Sequence, residues 1–179
     1  GLRQFEDQVV RLVCGFADFL AAFEPAAAMP YLADIARLDR CWTESHIAAD
    51  AVPLAPSALA VLDPAGLANL RLALHPSARW LHSSQFPIAA IWSRSRSEGD
   101  ADLGDVEWRA EGLVLFRRER VVEFAPIGAA ERVFLDACAA GEALAACAQA
   151  AIAADSDIDI AGLLAQLLQL GVFTSTEEL

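Results

Sequence analysis

The stretch EGLVLFRRERVVEFAPIG, residues 111–128, constrains the fold more than any other part of the chain. Gly112 to Phe116 is apolar, Arg117 to Arg120 is charged, and Val121 to Phe124 is apolar again. Two short runs rich in Val, Leu and Phe around a charged tetrapeptide predict antiparallel strands joined by a turn. Helix signal follows. AERVFLDACAAG (130–141) sets Val133, Phe134 and Ala137 on one face, with Gly141 as its stop. EALAACAQAAIAA (142–154) predicts a second helix. DSDIDIAGLLAQLLQLG (155–171) predicts a third, with an Asp cap near its start and Gly171 at its end. VFTS (172–175) then returns as a short strand. Strand, strand and three helices is a winged-helix-like order. Such a unit can read DNA, dock a peptide, or only fold.

Upstream, residues 2–23 read as two helical pieces separated at Gly15, with Phe16, Phe19, Leu20 and Phe23 sharing a face. Pro30 opens the helix PYLADIARLDRCWTESHIAAD, since a first helical position has no use for the missing N–H. Its Leu32, Ile35, Leu38, Asp39, Trp42 and His46 recur at three- and four-residue steps. Pro53, Pro56 and Pro64 make 51–66 a loop with short helical turns. LRLALHPSARWLHSS predicts two strands around His75 and Pro76, and FPIAAIWSRS a short helix ending at Trp92. The polar stretch 93–111 predicts a loop. The class is therefore α+β: a helical part over 1–66, then a small-sheet, winged-helix-like part over 67–179. Trp80, Phe86, Ile88, Ile91 and Trp92 are expected to join the two.

Composition limits the chemistry. At 56% hydrophobic, the 179 residues can bury a sizeable core. A net charge of −12 argues against a general polyanion binder, which needs a basic face. Cys14, Cys41, Cys138 and Cys147 have no CxxC spacing and read as free thiols in a reducing compartment. No apolar run approaches the ~18 residues of a membrane span, and GLRQFEDQ is not a signal peptide, so a cytoplasmic location is expected. His46, His75 and His82 are scattered, and GxSxG, GxGxxG and Walker patterns are missing from the sequence. No catalytic residue, metal ligand or cofactor is assigned.

The hairpin can then be weighed as a reader of DNA or of peptide. A groove-reading third helix supplies Arg, Lys, Asn or Gln. Here the polar side chains of that helix are Gln166 and Gln169, and residues 112–179 hold four Arg against ten Asp plus Glu. DNA binding, as a transcriptional regulator, is the weaker alternative. The run Val121, Val122, Glu123, Phe124 would offer unpaired N–H and C=O groups if it lies at a sheet edge, and an extended peptide can add there. Leu163, Leu164, Leu167, Leu168 and Leu170 of the third helix are expected mostly to pack the core, with Leu163 and Leu167 assigned as the candidates to line a groove beside that edge. Arg117, Arg118 and Arg120 form a solvated turn able to touch an acidic leader peptide.

PYLADIARLDRCWTESHIAADAVPL (30–54) and LHPSARWLHSSQFPIAAIW (74–92) resemble the HvfC and BufC proteins, relatives of the methanobactin partner MbnC and often labelled DNA-binding. The likeness covers roughly residues 16–173. Family members carry an N-terminal helical domain where this chain has only LRQFEDQVVRLVC before FADFLAAF, so that domain is expected to be short or partly missing. The resemblance implies a non-catalytic partner of a multinuclear iron oxidase of barrel fold. The pair would modify cysteines of a ribosomally made precursor peptide, in some systems to a copper-chelating product. Residues 112–173 also resemble the PqqD-type recognition element, which grips leader peptides by strand addition.

Overall fold

The computed structural model describes residues 15–96 and 104–174. In chain order the elements are α1 (residues 15–22), a 3-10 turn (Glu24–Ala26), α2 (Leu32–Ile47), α3 (Pro56–Leu59), α4 (Pro64–Asn69), β1 (Ala73–Leu74), β2 (Arg79–Ser83), α5 (Ile88–Ser95), β3 (Glu111–Arg118), β4 (Val121–Ile127), α6 (Ala129–Ala139), α7 (Leu144–Ala154), α8 (Ile160–Leu170) and β5 (Phe173–Thr174). The chain is α+β, with helices first and a small antiparallel sheet after them. The expected helical piece over 2–14, with Cys14, and the acidic run 97–103 lie outside the described residues.

β3 is the middle strand of a β2-β3-β4 antiparallel sheet, and Gly112 to Phe116 are buried on both faces. That double burial is why GLVLF is a continuous apolar run instead of an alternating one. Val114 and Phe116 join Phe134, Leu135, Leu163, Leu167 and Phe173 in the larger core, under α6 and α8. Leu113 and Leu115 face the other way, onto Leu38 of α2 and Ile88 and Trp92 of α5. The sheet is thus a middle layer with helices on each side. β1 and β5 form a separate two-stranded pair, with Leu74 opposite Phe173.

Three polar ties fix α2 to this frame. Trp92 Nε1 donates to Asp39 Oδ1 at 2.8 Å, Arg79 Nε donates to Glu44 Oε2 at 2.8 Å, and Arg117 reaches the end of the helix. The segment 70–92 therefore does meet α2, through β2 and α5.

Local signals account for the helix ends. Asp159 accepts from Gly162 N at 3.0 Å, the N-cap expected for α8. Gly171 closes α8 at φ 73°, a left-handed position suited to glycine. Several boundaries differ from expectation, since β3 runs on through Arg118 and β4 through Ile127, so that only Glu119 and Arg120 of the charged run form the turn. α2 starts at Leu32, two residues after Pro30, because Leu32 N–H is bound to Met29 O in a preceding turn. α5 runs on to Ser95, past Trp92. Gly15 is itself helical, and the residues before it lie outside those described.

Candidate functional site

β4 is an edge strand, and its hydrogen-bonding parity can be worked out. Arg118 and Val121 are paired across a two-residue turn, Glu119 and Arg120, both at positive φ (47° and 73°). In such a hairpin the closing pair exchanges both hydrogen bonds, and every second pair after it does the same. Arg118–Val121, Phe116–Glu123, Val114–Ala125 and Gly112–Ile127 are then the bonded pairs. Arg117 lies between them, so its N–H should point away from β4. It does, donating to Ser77 Oγ at 3.0 Å on the β2 side. The outward residues of β4 are consequently Val122, Phe124 and Pro126. Pro126 has no N–H to present, which suits an edge. The open edge offers two N–H groups and three carbonyls, and no described strand pairs with them.

Side chains sort by the same parity. Val122 packs beside Leu38 and Trp92, and the Phe124 ring meets Trp92 edge-on at 5.2 Å. From Trp92 the contact continues: the Arg96 guanidinium lies 4.9 Å from the Trp92 ring and 4.4 Å from Trp42, and Trp42 stacks on His46 at 5.5 Å. This aromatic and cationic wall flanks the edge along α2 and α5. Phe124 remains 44% exposed and Val121 61% exposed. Toward the end of β4 the wall opens into a cavity of about 480 Å³ between α5, Leu113, Phe124 and Pro126. The other edge, β2, is more enclosed: all five of its residues are buried or half-buried, and Trp80 Nε1 is tied to Asp136 of α6 at 2.8 Å.

The remaining assigned residues fare differently. Leu163 and Leu167 are buried, at 7% and 1% exposure, in the core beneath α8. They support the sheet from behind and do not stand beside the β4 edge, which corrects their placement in the groove. Arg117 is not a solvated turn residue. Its side chain is only 9% exposed, and it donates to His46 O at 2.6 Å, Ala48 O at 2.8 Å and Asp50 Oδ1 at 2.7 Å. The last turn of α2 leaves carbonyls without helical partners, and a guanidinium satisfies several at once. Arg118 is half-exposed; it donates to Gln169 O at 2.8 Å and lies 3.9 Å from Glu123. Arg120 is exposed in the turn. Glu123 is half-buried and bonded inward through its main chain.

Sequence reasoning missed the role of HPSAR. His75 is buried; its Nδ1 accepts from Ser77 N–H at 3.2 Å, which leaves Nε2–H to donate to Ala51 O at 3.1 Å. Ser77 is wholly buried and holds β3 through Arg117 N. This bend clamps the 51 loop, β2, β3 and β5 together, since His75 N–H also donates to Val172 O at 2.8 Å. A Ser-His pair so enclosed is a joint of the fold. The alternating polar residues of the motif were its only sequence trace.

Of the described thiols, Cys138 and Cys147 are buried and Cys41 is half-buried. Burial pushes Cys41 up to about 11, and raises Cys138 and Cys147 as well, so none is poised as a thiolate nucleophile. Among the described residues no group of three His, Cys, Asp or Glu side chains could hold a metal ion. No described helix is long and apolar enough to cross a membrane. On α8 the exposed polar side chains are Gln166 and Gln169, and no basic residue accompanies them.

No protein-family model, curated protein or solved structure matches the chain.

Proposed function

We propose that this chain is a peptide-recognition partner protein, in the manner implied by its resemblance to HvfC and BufC. It binds an extended segment of a ribosomally made precursor peptide along β4. It thereby presents the peptide's cysteines to a multinuclear iron oxidase of barrel fold, which holds the metals and performs the oxidation. The observation that carries the reading is the open β4 edge, with Val122 and Phe124 presenting main-chain donors and acceptors beside an aromatic and cationic wall. Strand addition uses such an edge because main-chain bonds supply affinity for almost any sequence and side-chain contacts select among them. At the turn end of the edge Arg118 and Arg120 stand beside Glu119 and Glu123, so a contact with an acidic leader would be made by individual guanidiniums and not by a net positive field.

Amide hydrogen exchange on the full chain tests this. The Val122 and Phe124 amides should exchange quickly alone and slow by at least tenfold when precursor peptide is added. The iron oxidase should co-purify with the chain. Specific nanomolar DNA binding at physiological salt, with no change at these two amides on adding peptide, would overturn the proposal in favour of a transcriptional regulator.

A further inference from the structure

The cavity at the far end of β4 has features that an edge alone does not require. It measures about 480 Å³ and is bounded by Ala89, Ala90 and Ser93 of α5, by Leu113, and by Phe124 and Pro126 of the edge strand. Small residues on α5 make the depression, and apolar groups make its floor. Among the described residues its wall holds one carboxylate and one guanidinium, and they engage each other: Glu111 Oε2 accepts from Ala90 N–H at 3.0 Å, and its Oε1 from Arg109 Nε at 3.4 Å. A charged group entering the cavity would lose water and meet a Glu111 and an Arg109 already paired, Arg109 with Glu107 as well, so an apolar group is preferred there.

The cavity is also continuous with the edge. Phe124 and Pro126 belong to both, because outward-bonding residues of β4 carry their side chains toward α5. The donor ladder of the edge stops at Pro126, which has no N–H. A peptide strand pairing with Val122 and Phe124 therefore has less to hold it to the plane of the sheet beyond that point. Its next side chain on the α5 side stands over the cavity mouth.

We propose that this cavity is a specificity subsite for one large apolar side chain, aromatic or long aliphatic, of the peptide that adds to β4. The inference rests on the strand-addition reading above. The edge fixes the main chain, and the cavity selects which segment of a peptide settles there, by taking one anchor residue. Pocket-bound anchors of this kind carry a disproportionate share of the selectivity in strand-addition complexes.

The probe is a phage-displayed library of random twelve-residue peptides, selected on the full chain. Selected peptides should share an aromatic or Leu/Ile/Met residue at a fixed position. Replacing that residue by Ala should weaken binding by at least tenfold on the parent protein. On Ala90→Phe, which fills the cavity from α5, the same replacement should change binding less than twofold. Ser93→Phe fills it from a neighbouring position and is used alongside; circular dichroism and urea melts establish that each variant is folded. If the selected peptides respond to Phe124→Pro and Val122→Pro but tolerate both fillings, strand addition stands and the subsite is refuted. If they ignore the edge prolines, or if no peptide is selected, the reading of the edge fails and the subsite falls with it.

Discussion

A proline scan through Val121, Val122, Glu123 and Phe124 separates the inward and outward faces of the edge strand. Proline removes a backbone N–H, and the cost depends on where that N–H pointed. Glu123 donates inward to Phe116 O, and Phe116 is almost wholly buried. Glu123→Pro therefore loses one hydrogen bond, about 1 kcal/mol, and leaves a buried carbonyl unpaired, about 1–3 kcal/mol more. The total, about 2–4 kcal/mol, corresponds to a fall in Tm of roughly 6–12 °C for a chain of this size. Val121→Pro breaks the closing pair with Arg118, which is exposed, so about 1 kcal/mol is expected.

Val122→Pro and Phe124→Pro break no ladder bond. They should melt within about 1 kcal/mol of the parent once side-chain loss is removed by comparison with Val122→Ala and Phe124→Ala. Phe124 needs this reference because its contact with Trp92 is itself worth about 0.5–1.5 kcal/mol. Peptide binding should show the complementary pattern. Each outward proline costs one intermolecular bond, about fivefold in Kd. Urea melts and fluorescence anisotropy read the two quantities. A scan in which Val122→Pro and Phe124→Pro are the destabilising pair would show that the bonding parity is inverted. Four folded variants that all bind like the parent would show that the edge does not take the peptide.

Three further outcomes are expected. Arg117→Ala should lower stability by about 2–3 kcal/mol in urea, and Arg117→Lys should recover only part of it, because an ammonium cannot reach the same set of acceptors at the end of α2. Glu119→Asn with Arg120→Gly should raise stability by about 1 kcal/mol in the same assay, since both turn residues sit at positive φ without the side chains that tolerate it. Burial pushes the Glu44 carboxyl up, but hydrogen bonds from Arg79 and Arg40 outweigh that and hold it below the usual 4.5. Its folded value lies below its unfolded one, so its stabilisation is present above about pH 4.5 and is lost as the pH falls through the folded value. Glu44→Gln should thus be less stable by about 0.5–1 kcal/mol at pH 7, with the difference closing in melts below pH 4.5.

The elements after residue 111 were legible because their signals are local. An apolar strand interrupted by four charged residues, an Asp at a helix start and Gly171 at a helix end each act within a few residues, and each element appears where its own residues demand it. The turn was legible as a turn but not in type, because Glu119-Arg120 lacks the Asn-Gly or Asp-Gly that announces the left-handed pair. The site depends on non-local facts. That β4 is an edge follows from β2, forty residues earlier in the chain, pairing with the other side of β3. Which of its residues bond outward follows from the turn geometry and that pairing together. The same limit explains Arg117, Leu163 and Leu167. The sequence shows an Arg in a charged turn and Leu residues on a helix, but only the packing of α2 against the sheet assigns the Arg to a helix end, and only the face presented by α8 sends the Leu residues inward. The sequence by itself determined where the strands and helices form, because propensity, caps and periodicity are properties of neighbours along the chain. The tertiary structure alone decided which donors stay unpaired and which charges are enclosed, because both depend on partners brought together from distant segments.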